Sequence, residues 1–389
     1  MQKRGLVLVA TLVLGAGAVA FWLNGRQPDP EVSGLQATSP IDYDDPGACA
    51  PCHAAVVAEW RESMHSRAHE SRDPIFAALR AVRIERGGEA VADECASCHY
   101  PRDARRTRPV VAEQGVSCAS CHLVTAVDRE KGAGHLALSW SEGVMAGPHD
   151  IAPRTAAVHG TGPAPDFMKA GSELCLACHH AAQNPQGVPT CTTGLEWAAA
   201  AEPPRCVECH MPNEEGPSGA VSQGRGTHRS HRFPGPHRSW YQDDPSFAAQ
   251  GVGLTVAFEG DRANVILENR TSHGFPSGFP GRLATVQVQG LDAQGAVVWQ
   301  DAKLTQLGKR YVNAEGETVP PPFGTRLAED TRLKPGETRR LATPNLPLAV
   351  TRLDVALRFA LLPPAMAEKL GIPKPESEPR TVATATVTR

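Results

Sequence analysis

The sequence predicts a two-part chain: a domain of helices and loops with little regular structure, followed by an all-β sandwich of immunoglobulin-like type. Three observations predict it. All eleven cysteines and fourteen of the fifteen histidines lie between Pro46 and Tyr241. Aromatic residues make up only 5% of the 389 residues, while there are 36 glycines and 34 prolines, so loops are plentiful and large apolar side chains scarce. After about Ala249 the texture changes to short alternating runs separated by turn residues. The first part therefore reads as a chain wrapped around bound groups rather than its own side chains, and the second as a sheet core.

Taken in order, residues 1–23 begin with Lys3 and Arg4 and continue as an apolar run from Gly5 to Leu23. This is the pattern of an export signal, with positive charge held on the cytoplasmic side. Ala18-Val19-Ala20 fits a cleavage site, but the run is also long enough to span a bilayer as a retained helix, and the anchor is favoured. Residues 24–45 are polar and proline-rich, a tether. Residues 46–245 hold the cysteines and two stretches with helical character, Ala54–His69 and Pro74–Glu85. Residues 250–389 contain the runs Leu254–Phe258, Ala263–Leu267, Ala284–Gln289, Ala296–Gln300, Arg339–Ala342, Leu353–Phe359 and Val382–Val387. Seven such strands with Gly and Asp turns predict an antiparallel sandwich. No cysteine follows Cys209, so no disulfide or zinc staples it.

Ten cysteines fall into five Cys-x-x-Cys-His motifs: Cys49–Cys52–His53, Cys95–Cys98–His99, Cys118–Cys121–His122, Cys175–Cys178–His179 and Cys206–Cys209–His210. Two sulfurs three residues apart reach the two vinyl groups on one edge of a haem, and the next imidazole points at the iron. A zinc ribbon or an iron–sulfur site also uses Cys-x-x-Cys pairs, but needs no histidine directly after the second cysteine. A disulfide framework leaves the five histidines unexplained. The motifs thus predict five covalently attached haem c groups, and the helical part is a multihaem cytochrome c domain. Cys191 alone stands outside the motifs, a thiol without an assigned role. The formal charge is -3, and haem propionates would make the surface more acidic, which is no nucleic-acid footprint.

Five haems in one compact region predict electron transfer between redox partners outside the cytoplasm, either soluble redox proteins or a membrane quinol-linked complex, in the periplasm or held at the inner membrane by the N-terminal segment. The alternative is an oxidoreductase in which one five-coordinate haem acts on a small nitrogen or sulfur compound. The Cys-x-x-Cys-Lys motif that marks many multihaem nitrite reductases is absent, and only Tyr43, Tyr100, Tyr241 and Tyr311 could supply a tyrosine cross-link. Which reading holds depends on the other ten histidines, because a carrier needs a second axial ligand for each iron.

Several local patterns stand out along the chain: Trp60-Arg-Glu-Ser-Met-His65, Gly115-Val-Ser-Cys118, Gly147-Pro148 followed by His159, Ser172-Glu-Leu-Cys175, and Cys209-His-Met-Pro212 followed by His231-Arg-Phe-Pro-Gly235. On these patterns Cys49 to about His273 resembles the multihaem cytochromes of the cytochrome c554/c-prime group. In the sandwich, Asn269-Arg-Thr-Ser-His273-Gly-Phe-Pro-Ser-Gly278 resembles the family's turn after the second strand. The resemblance implies His65, His159, His231 and His273 as distal ligands, His273 reaching across from the sandwich, with His149 or His237 for the fifth iron. His149 stands where the family has an aromatic residue. His69, one helical turn past His65 if that helix continues, would compete for the same edge; His180 points away, and His135 and His228 carry no supporting pattern.

Overall fold

The computed structural model describes residues 41–128, 137–151, 154–155, 158–220 and 225–389. The expected signal or anchor and most of the tether lie outside the described residues, as does His135. Among the described residues no helix is long and apolar enough to cross a membrane.

Each motif ends a helical segment. Helix α1 (Pro46–Glu62) starts at Asp45, whose carboxylate accepts the Gly47 N–H, and kinks at His53, which leaves helical geometry. Helix α2 (Pro74–Gly87) has Asp73 as its cap, accepting N–H groups of Ile75 and Phe76, and Pro74 at its first position. Helices α3 (Glu89–His99), α4 (Cys118–His122), α5 (Glu173–His179) and α6 (Thr193–Ala198) follow, then α7 (Cys206–His210). Four of these motif helices stop at the histidine itself.

The expected helix over Ala54–His69 is shorter: α1 ends at Glu62, and Ser63 caps it with its N–H on the Trp60 carbonyl. His65 and His69 therefore sit in turns, not one helical turn apart on a common face.

Eight main strands follow: β1 (Val252–Glu259), β2 (Arg262–Asn269), β3 (Leu283–Leu291), β4 (Val297–Val312), β5 (Arg326–Asp330), β6 (Thr338–Ala342), β7 (Arg352–Ala360) and β8 (Arg380–Thr388). One antiparallel sheet runs β4–β3–β7–β8, with β5 and the short strand Thr318–Val319 also paired to β4; the other runs β6–β2–β1. Ala284, Val286 and Val288 of β3, Leu353, Val355 and Leu357 of β7, and Val265 and Leu267 of β2 alternate inward and share one core. All seven predicted runs fall on these strands. Strand β4 extends well past Gln300, because an irregularity between Asp301 and Thr305 restarts its pairing with β3. Its later residues, such as Lys303, Gln306 and Lys309, are polar and gave no apolar alternation to read. Leu357 is fully buried in this core, and Leu357→Ala is expected to cost about 2–5 kcal/mol; an unchanged urea midpoint by far-UV circular dichroism would contradict that.

The helical part is welded to the sandwich. Ile75, Leu79 and Trp240 belong to the same apolar core as Phe275 and Phe359. The Trp240 indole donates to the Glu378 carbonyl at 3.0 Å, and Asn184 Nδ2 donates to the carbonyls of Pro321 and Gly324 at 3.0 and 2.7 Å.

Candidate haem sites

All ten motif cysteines and all five motif histidines line one continuous cavity of about 2850 Å³ inside the helical part, closed on one side by the sandwich. An ordinary ligand pocket is about 300–1,000 Å³, so several large groups are needed to fill this one. The scarcity of bulky apolar residues in the sequence has its counterpart here.

Four of the five motif histidines are oriented alike. Nδ1 of His53 donates to Ser218 O at 2.7 Å, His99 to Ala68 O at 2.8 Å, His122 to Ala146 O at 2.7 Å and His210 to Pro234 O at 2.8 Å. A carbonyl can only accept, so the proton is fixed on Nδ1 and the Nε2 lone pair is free for a metal. Gly219 is required beside His53, since a Cβ there would stand 2.7 Å from its Nδ1. His179 differs: it hydrogen-bonds the Cys191 thiol, which raises its pKa.

Four of these imidazoles face a second one. His53 faces His159, His65 faces His179 and His210 faces His273, each pair with ring centres 6.4 Å apart; His122 faces His231 at 6.1 Å. Metal–imidazole bonds of about 2 Å on each side, with each ring centre about 1.1 Å behind its nitrogen, put two axial rings about 6.2 Å apart. The spacing is that of two imidazoles on one iron, and much too wide for direct stacking. The residues fit haem at these four places. The distal rings are oriented as well: Nδ1 of His159 lies 2.9 Å from Gly160 O, that of His231 2.8 Å from Arg229 O and that of His273 3.1 Å from Gly274 O. Burial lowers His65 to about 3 and His231 to about 4, helped by neighbouring imidazoles, so both rings are neutral and ready to bind metal.

The local motifs have physical reasons. Trp60 Nε1 donates to Val116 O at 2.8 Å, and the Val116 N–H donates to His65 O at 2.9 Å. Gly115 precedes Val116 with φ of 65°, and a Cβ there would stand 2.5 Å from His65 O. The tryptophan and the glycine thus fix the backbone that carries His65, although Gly115 belongs to a different motif in the sequence.

His99 is the exception. Its ring stacks on Phe76 with centres 3.7 Å apart, and no histidine ring among the described residues faces it at the axial spacing. His149, expected as a fifth distal ligand, is exposed at the cavity rim and faces no motif imidazole. A proline-flanked loop carries it outward, where Arg225 and Arg229 are its charged neighbours. His237, the other candidate, lines the cavity with its ring parallel to Tyr241 at 6.3 Å and its Nδ1 3.4 Å from an Arg282 nitrogen. Desolvation holds it well below its usual pKa, and it too faces no motif imidazole.

His69 and His228 are structural. His69 Nδ1 meets Ser71 Oγ at 2.9 Å and its Nε2 lies 3.3 Å from Glu70. His228 is bonded at both nitrogens, to Gly216 O at 2.9 Å and to Glu59 at 3.1 Å. Sequence reasoning missed Glu59 as a site-building residue. An acidic residue inside a helix gives no signal of burial in the sequence.

The sulfurs show which sites adjoin. The thiol of Cys49 is within hydrogen-bonding reach of Cys118, Cys98 of Cys178, and Cys175 of Cys206. His65 feels the charge of both His210 and His231, and His122 that of His53 and His159. The site of His179 and His65 therefore adjoins the sites of His99, His210 and His122, while the His53 site adjoins that of His122.

Residues 48–123 match the family described as cytochrome c554 and c-prime. Over a longer span the chain is similar in fold to the penta-haem cytochrome c552 from Thermochromatium tepidum, with 24% identity and a TM-score of 0.72, over 88% of this chain and 97% of that one. No curated protein sequence matches the chain.

Proposed function

We propose that this chain is a pentahaem c-type cytochrome that transfers electrons between redox partners outside the cytoplasm. In this reading residues 46–245 form the haem domain and residues 250–389 an immunoglobulin-like sandwich that closes it. The observation that carries the proposal is the set of four facing imidazole pairs at 6.1–6.4 Å. Haem, when bound, supplies an iron that cycles between the ferrous and ferric states. The chain's contribution is to hold both axial nitrogens in place in either state, so little has to move when an electron arrives. Two imidazoles also favour a lower potential than a histidine–methionine pair. The sulfur neighbours make the path branched: the His53 site leads through the His122 site to the His179 site, which also adjoins the His99 and His210 sites. Electrons would enter and leave at the outer sites, with a soluble redox protein or a membrane quinol-linked complex as partner.

A second reading, a small-molecule oxidoreductase at one haem, is favoured by one observation: among the described residues no imidazole faces His99. There the chain supplies one axial nitrogen, and the opposite face is available to a small nitrogen or sulfur compound. Spectroscopy of the purified holoprotein tests both readings. Four low-spin bis-histidine signals and one high-spin signal are expected, with carbon monoxide bound by one reduced haem of the five. Fewer than four low-spin signals would overturn the relay assignment; an all-low-spin spectrum with no carbon monoxide binding would overturn the open site at His99.

A further inference from the structure

Two of the four distal histidines are held by the same device. On the His231 side, Glu59 of α1 is buried, and its Oε2 accepts the His231 backbone N–H at 2.8 Å. Its Oε1 accepts from Arg232 at 3.2 Å and meets His228 Nε2 at 3.1 Å. On the His273 side, Glu196 of α6 accepts with Oε2 the N–H of Gly274, the next residue, at 2.8 Å. Its Oε1 accepts from Arg332 at 2.8 Å and from the Thr192 hydroxyl at 2.6 Å. In both cases a carboxylate from a helix elsewhere in the haem part grips the backbone at a distal histidine, and an arginine neutralises the carboxylate. The contact is tight at the second site, where a Cβ on Gly274 would stand 2.9 Å from Glu196 and 2.8 Å from Arg332. Thr193 of α6 adds bonds to Ser277 Oγ at 2.9 Å and from Gly278 N–H at 3.2 Å.

Charge and burial support this arrangement. Burial alone would raise the Glu196 carboxyl, but Arg332, Thr192 and the Gly274 N–H outweigh it and bring it to about 2. A charged acceptor strengthens a backbone hydrogen bond, and a paired one avoids the cost of a lone buried charge. Among the described residues no carboxylate clasps His65; Val116 holds its backbone carbonyl, and Trp60 in turn holds Val116.

We propose that Glu59 and Glu196 are positioning residues that set the axial imidazoles of His231 and His273, each through a carboxylate–arginine clasp on the distal loop. For His273 the clasp spans the haem part and the sandwich, so coordination of the iron at Cys206–His210 depends on the two parts staying locked together. The inference rests on the bis-histidine reading above.

The test compares Glu196→Ala, Glu196→Gln, Glu59→Ala and Glu59→Gln with His273→Ala and His231→Ala in the holoprotein, by electron paramagnetic resonance and haem-resolved redox titration. Each Glu→Ala variant is expected to lose the same one of four low-spin components as its matching His→Ala variant, with a rise in that haem's midpoint potential. Added imidazole should restore the lost component, which separates ligand displacement from misfolding. The glutamine variants keep an acceptor for the backbone N–H and should keep the component. Glu→Ala variants that retain all four components, however much their melting temperature falls, would overturn the proposal. So would loss of a component different from that lost in the matching histidine variant. If His273→Ala and His231→Ala themselves change no component, the bis-histidine reading fails and the clasp proposal with it.

Discussion

Removing the central haem site, by Cys175→Ser, Cys178→Ser and His179→Ala together, is expected to divide the relay. Mass spectrometry should show four haems, and after substoichiometric reduction the remaining haems should equilibrate slower by orders of magnitude. The reason is positional. Cys178 adjoins Cys98, and Cys175 adjoins Cys206. His65, which faces His179, is close enough to feel the charge of His231. The His179 site thus adjoins the His99, His210 and His122 sites, and electron hopping falls steeply when a stepping stone is lost. The same removal should lower the melting temperature, since the central part of the cavity would lose its apolar filling. Unchanged equilibration kinetics in the four-haem variant would show that a direct route links the outer sites.

Replacing His273 alone should change the spectrum while leaving the fold in place. His273→Ala removes the ring that faces His210 at 6.4 Å. It leaves the loop, because Asn269 Nδ2 still donates to the carbonyl of residue 273 at 2.7 Å and to Lys334 O at 2.8 Å. The iron at Cys206–His210 is then expected to become high-spin, to bind carbon monoxide when reduced, and to titrate at a higher potential, since a strong axial base is lost. A variant with two carbon monoxide-binding haems in place of one would meet the expectation. A variant with an unchanged count would show that His273 caps its turn without ligating.

The five attachment motifs were legible because their chemistry is local. Two sulfurs and an imidazole within one helical turn need no distant residue to make sense, and the structure puts all five on the wall of one cavity. The strands were legible for a similar reason: alternation in β2, β3 and β7 follows directly from one buried face. What failed was also local in cause. His149 was expected as a ligand on its position after Gly-Pro, but the turn carries it to the surface. His65 and His69 were spaced as on a helix, yet Ser63 ends the helix first and sends only His65 to an imidazole partner.

The sequence by itself determined the five Cys-x-x-Cys-His motifs, because the two sulfurs and the imidazole of each lie within five consecutive residues. It also determined that a sheet domain follows, from period-two burial. Only the tertiary structure decided which imidazoles come face to face, and that among the described residues none faces His99. Those facing rings lie far apart in sequence, on loops whose path depends on packing around the cavity. A histidine's spacing from its neighbours carries no record of the imidazole it will face.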